Sequence, residues 1–451
     1  MIITALMLSL QVSASTPREG VEVEMEALLQ WKRSLSDQSQ SFLSSWDTTS
    51  TASNPSPCNW AGVYCDDAKS VTGINLTSAQ LKGTLVDFNS SSLANLTFLD
   101  LHDNELTGNI PPEIGKLSKL TSLVLSYNEF TGYIPQEVGN LTKLMVLSFS
   151  SNLLLGYIPA STGNLINLSV LNLANNRLSG SIPPELGKLT SLTELRLNLN
   201  DLTGSVPASI GNLRGLKVLS LYGNQLSGAL PLEINNLTNL TLFFLSNNTI
   251  SGLLPEKLCQ GGILTDFCAS NNRFTGTVPK GLKNCTSLTR LRLDRNNLVG
   301  NINEDFGIYP NLDYIDLSYN NFHGEVSPNW SKCKVLTSLK ISNNNITGVI
   351  PPALGETTML HFLDLSSNNL EGEIPNLLDK RLPAPTPILA YELLTIIKLA
   401  LTCINVDPRL RPTMHHVCQV LSPQRLSPSP RPFGTVKVAQ VLNLDRKVEG
   451  D

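Results

Sequence analysis

The sequence has few charged residues and few aromatic residues. Charged side chains make up 16% of the 451 residues, aromatic side chains make up 6%, and the net charge is −4. No segment resembles a polybasic tail, so the composition gives no reason to expect nucleic acid or an anionic membrane surface as a partner. Leu, Asn, Gly and Ser recur throughout the chain. This composition favours one long repeat array over several compact domains.

The sequence also lacks a segment that reads as a membrane span. The best later candidate, residues 388–406, carries Glu392 and Lys398. Each ionised residue at the centre of a membrane helix costs roughly 2.5–3.5 kcal/mol to insert. The apolar residues of this segment recur at helical spacing, which predicts an amphipathic helix instead. These apolar residues are Leu389, Leu393, Ile397, Leu401 and Ile404.

Motifs for catalysis and metal binding are missing as well. No G-x-S-x-G nucleophile elbow occurs, and no Cys or His spacing fits a zinc site. The histidines that could be considered, His102, His323 and His361, are scattered along the chain. We therefore expect no catalytic residue, no metal and no cofactor in this chain.

The first residues are almost wholly apolar, and small residues follow at positions 12–14. This pattern predicts a short secretory signal peptide over residues 1–14, although it lacks the usual basic start; a truncated N-terminus is the alternative. Eleven N-x-S/T sequons favour secretion, and we predict them as glycosylation sites. The sequon asparagines are Asn75, Asn89, Asn95, Asn140, Asn167, Asn236, Asn239, Asn247, Asn284, Asn329 and Asn345.

A 24-residue repeat dominates the middle of the chain. Asn recurs at this step from position 104 to position 368 without exception, and Gly keeps the same step from position 108 to position 372. The unit is L-x-x-L-x-L-x-x-N-x-L-x-G-x-I-P, and an earlier copy has Ala79 at the Asn position. This periodicity predicts thirteen repeats over residues 71–376 and an α/β repeat solenoid.

Each position of the repeat has a physical reason. The alternation of Leu96, Leu99 and Leu101 turns leucines inward from a short strand. Asn supplies a donor and an acceptor to backbone groups where the chain turns inward, so stacked copies are predicted to form a ladder. Gly permits a backbone conformation that other residues resist, and Pro fixes an extended segment.

The repeat also explains a kinase-like tripeptide. Asp305-Phe306-Gly307 spells the metal-binding motif of kinases, but Gly307 lies eleven residues after Asn296. Other repeats have Gly at the same distance from their own Asn, as in Gly115. We interpret the tripeptide as part of the repeat and not as a kinase motif.

The L-x-G-x-I-P insertion resembles that of plant extracellular leucine-rich repeats. Residues 22–66, which include Trp31, Trp46 and the segment from Cys58 to Cys65, are similar to the N-terminal cap of that family. The resemblance implies a plant-type leucine-rich-repeat superhelix with an N-terminal cap, and a disulfide between Cys58 and Cys65. Closing so short a loop stabilises the fold by about 2–3 kcal/mol in the chain-entropy model.

A more specific resemblance lies in the repeats without Pro, where Asn303 and Ser327 take its place. Residues 300–312 and 329–333 resemble the male-discoverer-interacting group of peptide-sensing receptor kinases. Residues 377–421, with the segment Asp407-Pro408-Arg409-Leu410-Arg411-Pro412, resemble the last helices of a receptor-kinase C-lobe. The Gly-rich loop, strand lysine, H-R-D loop and genuine D-F-G are absent, so only an intact parent would use ATP and Mg. Residues 422–451 are predicted to be disordered.

Two further cysteines leave alternatives open. Cys285 and Cys333 occupy the same repeat position two coils apart, which is too far for a bond. Cys259 lies one coil before Cys285 with an offset of two residues, so a bridge between them is one alternative. Buried free thiols are the interpretation that the sequence favours.

Ligand recognition is the predicted function. Residues at six, four, two and one positions before each Asn are expected on the concave face, where a ligand would bind. The resemblance implies the ectodomain of a receptor-like kinase that binds an extracellular peptide, with a co-receptor kinase ectodomain as a second partner. It places this chain in the apoplast and an intact parent at the plasma membrane. A secreted inhibitor of hydrolases is the alternative. The predicted ligand-binding residues are Asp100, His102, Asp103, Glu194, Arg196, Tyr222, Phe244, Asp266, Arg290, Arg292, Asp294, Tyr314, Asp316 and Lys340.

Arg290 and Arg292 are the strongest pair among these residues. They lie on one strand with a single inward residue between them, so both guanidinium groups are expected to face the same groove. Such a pair suits the C-terminal carboxylate of a peptide, a role that paired arginines have in the resembling receptors. The competing interpretation is that both arginines merely pair with Asp266, Asp294 and Asp316 on neighbouring strands.

Overall fold

The computed structural model describes residues 17–48 and 56–371. Three predicted segments lie outside these residues: the signal peptide 1–14, the kinase-like segment 377–421 with its amphipathic helix, and the tail 422–451. The described chain forms two compact units, which meet between Leu216 and Lys217 in the sequence.

Two helices, Pro17–Ser34 and Asp37–Phe42, begin the N-terminal cap of the first unit. Trp31, on the first helix, and Trp46, which follows the second, are both fully buried, and each indole N–H donates to a backbone carbonyl. The Trp31 Nε1 donates to the carbonyl of Thr84 at 3.0 Å, and the Trp46 ring stacks on Trp60 at 5.5 Å between centroids. The cap thus fastens onto the first coil through large aromatic side chains.

The cap also closes one edge of the main sheet. Strand Val63–Cys65 pairs antiparallel with the first repeat strand, Val71–Asn75, and a disulfide joins Cys58 to Cys65 as the resemblance implied. The buried Glu24 carboxylate accepts hydrogen bonds from Ser70 Oγ at 2.6 Å and from the Val71 backbone N–H at 2.8 Å. Because burial dominates, the pKa of Glu24 is raised despite these two bonds.

Every coil contributes one short strand to a parallel sheet whose exposed side is the concave face of its unit. Strands of successive coils pair in register at a step of 24 residues beyond the first coil, as predicted from the repeat. In the first unit these strands are Val71–Asn75, Phe98–Asp100, Ser122–Val124, Val146–Ser148, Val170–Asn172 and Glu194–Arg196. In the second unit they are Val218–Ser220, Leu242–Phe244, Asp266–Cys268, Arg290–Arg292, Tyr314–Asp316, Ser338–Lys340 and Phe362–Asp364.

A second set of strands follows each Asn and forms the lateral face. In the first unit these are Lys82–Gly83, Glu105–Asn109, Glu129–Thr131, Leu155–Gly156, Arg177–Ser181 and Asp201–Gly204. In the second unit they are Gln225–Ala229, Thr249–Gly252, Arg273–Thr277, Asn297–Asn301, Asn321–Glu325 and Asn345–Thr347.

Short helices return the chain along the convex side. The cap contributes the 3-10 helix Pro57–Asn59, and the coils of the first unit contribute Pro112–Lys116, Gln136–Asn140, Ala160–Asn164, Pro184–Lys188 and Ala208–Asn212. The second unit has the 3-10 helices Leu232–Asn236, Pro328–Lys332 and Pro352–Glu356, and the α-helical turn Lys280–Lys283. Ser327, which stands where the repeat has Pro, caps its helix by accepting from the Asn329 backbone N–H.

The predicted asparagine ladder is confirmed in both units. In the first unit, Asn128 Nδ2 donates to the carbonyl of Leu101 one coil earlier at 2.9 Å, and its Oδ1 accepts from the Leu106 N–H at 3.0 Å. Asn320 makes the equivalent bonds in the second unit, to the carbonyl of Leu293 and from the N–H of Leu298. Each side chain therefore satisfies buried backbone groups of two coils.

Two positions of the repeat, one directly before the Asn and one four residues after it, adopt a left-handed backbone conformation. The repeat glycine four residues after the Asn has positive φ, +76° at Gly108 and +78° at Gly276, as the pattern predicted. The residue directly before the Asn also has positive φ, 56° at Asp103 and 55° at Arg295, and there non-glycine residues adopt it. This second position turns its side chain out beside the concave face.

The tripeptide Asp305-Phe306-Gly307 is part of the repeat, as predicted. Phe306 is buried and contacts the Phe322 ring edge-to-face at 5.7 Å, and the Asp305 carboxylate accepts from the Asn301 N–H at 2.8 Å. A Cβ added to Gly307 would lie 1.9 Å from the Lys283 carbonyl oxygen, so close packing between coils requires glycine there.

The interpretation of Cys259 and Cys285 as free thiols is wrong, because the structure joins them in a disulfide with their Cα atoms 5.6 Å apart. The physical reason is a local departure from the repeat. An irregular turn replaces the usual 3-10 helix of this coil, and Cys259 adopts a φ of 68° within it. The turn brings Cys259 within reach of Cys285, whereas Cys333 stays a buried free thiol.

In the part of the chain that the structure describes, no helix has both the length and the apolar character needed to cross a membrane.

Candidate ligand-binding surface

The predicted residues of the first unit form separate small groups on its concave face. Asp100 accepts from the His102 backbone N–H at 3.0 Å, and the Asp103 carboxylate accepts from Ser78 Oγ at 2.7 Å. Glu194 and Arg196 form an ion pair at 3.1 Å on a later strand of the same unit. Glu194 and Arg196 thus match each other's charge, whereas Asp100 and Asp103 accept hydrogen bonds from neutral groups.

The second unit brings most of its predicted residues together. Tyr222, which follows the first strand of this unit, and Phe244, on the second, contact each other edge-to-face at 6.5 Å between ring centroids. Asp266 lies on the next strand, opposite Arg290, and its carboxylate accepts from the hydroxyl groups of Thr265 and Thr289. The remaining predicted residues converge on the three strands that follow.

We call these remaining residues the arginine–tyrosine cluster. The guanidinium carbon atoms of Arg290 and Arg292 lie 4.8 and 6.0 Å from the centroid of the Tyr314 ring, and Lys340 Nζ lies 5.3 Å from it. Three cations thus lie around one aromatic ring, whose quadrupole attracts them. The cluster consists of Arg290, Arg292, Asp294, Tyr314, Asp316 and Lys340.

Two buried carboxylates hold the cluster in place. Asp294 is 7% exposed; it accepts from Ser270 Oγ at 2.6 Å and lies 3.3 Å from the guanidinium group of Arg292. Asp316 is 6% exposed; it accepts from the Tyr314 hydroxyl at 3.2 Å and lies 4.0 Å from Lys340 Nζ. These contacts restrain the side chains that reach the groove.

Burial and neighbouring charges both shift the pKa values of the cluster residues. Burial, and then the nearby charge of Asp294, raise the pKa of Asp316. Burial alone would lower the pKa values of Arg292 and Lys340, but both are raised. Asp294 contributes most to the raised pKa of Arg292, whereas the hydrogen bond with Tyr314 contributes most to that of Lys340. The neighbouring thiol of Cys268 has a pKa of about 11 because burial exceeds the effect of Arg292 and Arg290, so it stays protonated at neutral pH.

Arg290 is the cation of this cluster that has no charged partner in the part of the chain that the structure describes. Its guanidinium group lies over Tyr314 and makes no ion pair or hydrogen bond with any described residue, although Asp266 stands opposite it on the neighbouring strand. The competing interpretation of paired arginines therefore applies to Arg292 and not to Arg290. Free guanidinium donors beside a second guanidinium group form a site for an anion.

Several cluster neighbours were not among the predicted residues. Arg295 lies over the Tyr319 ring at 4.3 Å, and Lys340 Nζ lies 4.8 Å from the ring of Phe362. Arg292, Asp294 and Arg295 line a concavity of about 360 Å³. The signal for these residues was present, because Arg295 stands one position and Phe362 six positions before an Asn.

No group of three or more His, Cys, Asp or Glu side chains is placed to hold a metal ion within residues 17–48 and 56–371. The arrangement offers charged donors, buried acceptors and an aromatic face. Its chemistry is that of recognition.

Four family profiles match the chain, and all describe leucine-rich repeats. The leucine-rich-repeat N-terminal domain matches residues 22–66, and a leucine-rich-repeat region matches residues 88–208. Leucine-rich-repeat profiles also match residues 215–237 and 310–370. A leucine-rich-repeat protein of Leptospira interrogans is 31% identical with a TM-score of 0.51, over 63% of this chain and 70% of that one. The chain belongs to the leucine-rich-repeat proteins.

Several plant relatives of this leucine-rich-repeat protein are receptor kinases. A probable leucine-rich-repeat receptor-like protein kinase of Arabidopsis thaliana is 44% identical over 24% of this chain and 10% of the relative. The MDIS1-interacting receptor like kinase 2 of the same plant is 40% identical over 25% of this chain and 11% of the relative. The predicted resemblance to plant receptor-like kinases is thus confirmed, and the chain spans about a tenth of the length of these curated relatives.

The structural comparison agrees with the sequence comparison. The crystal structure of PEPR1 with AtPEP1 has a TM-score of 0.70 and 35% identity, over 78% of this chain and 49% of that one. A TDR receptor has a TM-score of 0.59 and 32% identity, over 67% of this chain and 57% of that one. The predicted fold class is confirmed by these likenesses.

Proposed function

We propose that this chain is the ligand-recognition ectodomain of a plant receptor-like kinase and binds an extracellular peptide on the concave face of its second unit. The supporting observation is the unmatched guanidinium group of Arg290, beside Arg292 and over the Tyr314 ring. An anionic group of the ligand, best a C-terminal carboxylate, would accept charge-assisted hydrogen bonds from both arginines. The relative PEPR1, which was crystallised with AtPEP1, supports the same class of function.

The location follows from the same proposal. An ectodomain with eleven sequons and a cap disulfide belongs in the oxidising space outside the cell. A co-receptor kinase ectodomain is the second partner that the resemblance predicts.

We also infer that the chain as given does not transfer phosphate. Phosphoryl transfer depends on positioning and charge stabilisation, and the residue classes that supply both are missing from the sequence. Incubating the purified chain with labelled ATP, beside its Arg411→Ala variant, checks this. ATP-dependent phosphorylation above that of the variant would contradict it.

The proposed ligand class is tested with two synthetic peptide libraries of the same sequences, one with free C-termini and one with C-terminal amides. We expect the purified chain to retain members of the first library and to release their amidated counterparts. Equal retention of both forms, or retention of neither, would contradict the proposal.

An inhibitor of secreted hydrolases is the alternative function, and the receptor relatives above lend it no support. It would be favoured if the chain inhibits a fungal polygalacturonase and retains no peptide.

A further inference from the structure

The sequon at Asn247 differs from most others in its position beside the candidate site. Asn247 stands directly before the ladder residue Asn248, at the left-handed position with a φ of 57°, where the side chain turns out beside the concave face. It is exposed and lines the same concavity as Arg292 and Arg295. In contrast, Asn140 lies at the end of a 3-10 helix on the convex side.

The Nδ2 atom of Asn247 takes no part in the described hydrogen bonds of the fold. The Oδ1 atom of this residue accepts a hydrogen bond from Asn271 Nδ2 at 3.0 Å, while its own Nδ2 donates to no group among the described residues. Nδ2 is the atom that carries an N-linked glycan. At two other sequons this atom is engaged, since Asn95 Nδ2 donates to Ser70 Oγ at 2.7 Å and Asn167 Nδ2 donates to the Thr142 carbonyl at 2.8 Å.

The distance between coils determines what a glycan at Asn247 would cover. Asn247, Asn271 and Arg295 hold the same position in three successive coils. At about 4.8 Å per coil, Arg295 is about 10 Å from Asn247 and the coil of Lys340 is about 20 Å away. A branched glycan is bulky and reaches over the nearer coils first.

We propose that Asn247 carries an N-linked glycan that covers the concavity beside Arg292 and Arg295 and so closes one flank of the candidate site. The opposite flank, with Tyr314, Lys340 and Phe362, stays open. This inference rests on the proposed function for its meaning: a peptide bound at Arg290 must extend toward Tyr314 and Lys340, since the glycan occupies the other direction.

The test uses the full chain expressed in a plant secretory host and needs no ligand. Glycopeptide mass spectrometry measures occupancy at Asn247, and phenylglyoxal labelling of the folded protein measures how accessible Arg292 and Arg295 are. We expect occupied Asn247, and a several-fold rise in labelling of Arg295 in the Asn247→Gln variant. The Asn140→Gln variant, which loses a sequon on the convex side, serves as the matched control and should label like the unaltered protein.

A second variant guards against local damage. Thr249→Ala removes the same sequon and keeps Asn247 and its hydrogen bond from Asn271, and it should raise Arg295 labelling to the same extent. Unoccupied Asn247 would overturn the proposal, and so would unchanged Arg295 labelling in both variants. Because labelling requires no peptide, the result is independent of whether the peptide-binding proposal holds.

Discussion

The concave faces of the two units place different side chains on the same backbone. In the first unit, the central strands Ser122–Val124 and Val146–Ser148 carry short aliphatic and hydroxyl side chains. In the second unit, Arg290–Arg292 and Tyr314–Asp316 place two cations, an aromatic ring and a carboxylate at the equivalent positions. The asparagine ladder is unchanged between them, so the invariant positions of the repeat maintain the fold while the variable positions determine what the surface binds.

The largest expected effect is a loss of stability when an asparagine of the ladder, which both units share, is removed. Asn128→Ala and Asn320→Ala each remove three donated hydrogen bonds and one accepted bond from buried backbone groups. An unsatisfied buried group costs about 1–3 kcal/mol, so we expect each variant to lose about 3 kcal/mol or more of stability. Urea unfolding followed by circular dichroism measures the loss.

The exposed neighbour Asn297 offers a matched control, because Asn297→Ala changes the same side chain outside the ladder. It should shift the unfolding midpoint little. A loss in only one of the two ladder variants would show that the units do not share their stabilising device.

The next largest expected effect is a loss of peptide affinity, which should occur for a change in the second unit and not for one in the first. Arg290 is unmatched in the second unit, whereas Arg196 is paired with Glu194 in the first. We expect Arg290→Ala to weaken binding of a peptide with a free C-terminus about 10- to 100-fold, as for the loss of a charge-assisted hydrogen bond. Arg196→Ala should leave affinity unchanged, which isothermal titration calorimetry measures. Equal weakening in both variants would contradict the proposal that the second unit alone binds the carboxylate.

A smaller difference, in local stability, is expected within the second unit between its last described coil and the coils before it. Leu363 is 43% exposed, while its equivalent Leu339 is fully buried. Because Leu363 is only partly exposed, the fuller burial of Leu339 stabilises the earlier coil by about 1 kcal/mol more. We expect amide hydrogens of residues 357–371 to exchange faster than those of residues 290–317 in hydrogen-exchange mass spectrometry. Uniform protection would show that the residues after 371 cover this coil.

The smallest expected effect is a change in the pH dependence of stability when Asp316 is replaced. Its pKa is raised above the ordinary value of 3.8, so the folded protein binds this proton more tightly than the unfolded chain does. The resulting stabilisation is complete below pH 3.8 and is lost as pH rises through the raised pKa. We expect urea midpoints to fall over this window by less in Asp316→Asn than in the unaltered protein. Identical slopes would contradict the raised pKa.

The sequence predicted the coils and the ladder because both depend on residues at a fixed spacing. The cap disulfide followed from the resemblance of residues 22–66 to a known cap and not from spacing. The sequence failed at Cys259, since the disulfide to Cys285 depends on an irregular turn that breaks the spacing. It placed Arg290 and Arg292 on one face, but which of them is matched depends on side-chain conformations across strands. Arg292 reaches Asp294 and Arg290 does not, and no pattern in the sequence distinguishes the two.

Photo-crosslinking tests the central claim most directly. A peptide retained from the free-carboxylate library, carrying a photoreactive group near its C-terminus, is irradiated with the purified chain, and the attachment sites are mapped by mass spectrometry. We expect attachment on the concave strands between Arg290 and Lys340, and its loss in the Arg290→Ala variant. Attachment concentrated on the convex side around Pro328–Lys332, or unchanged in that variant, would contradict it.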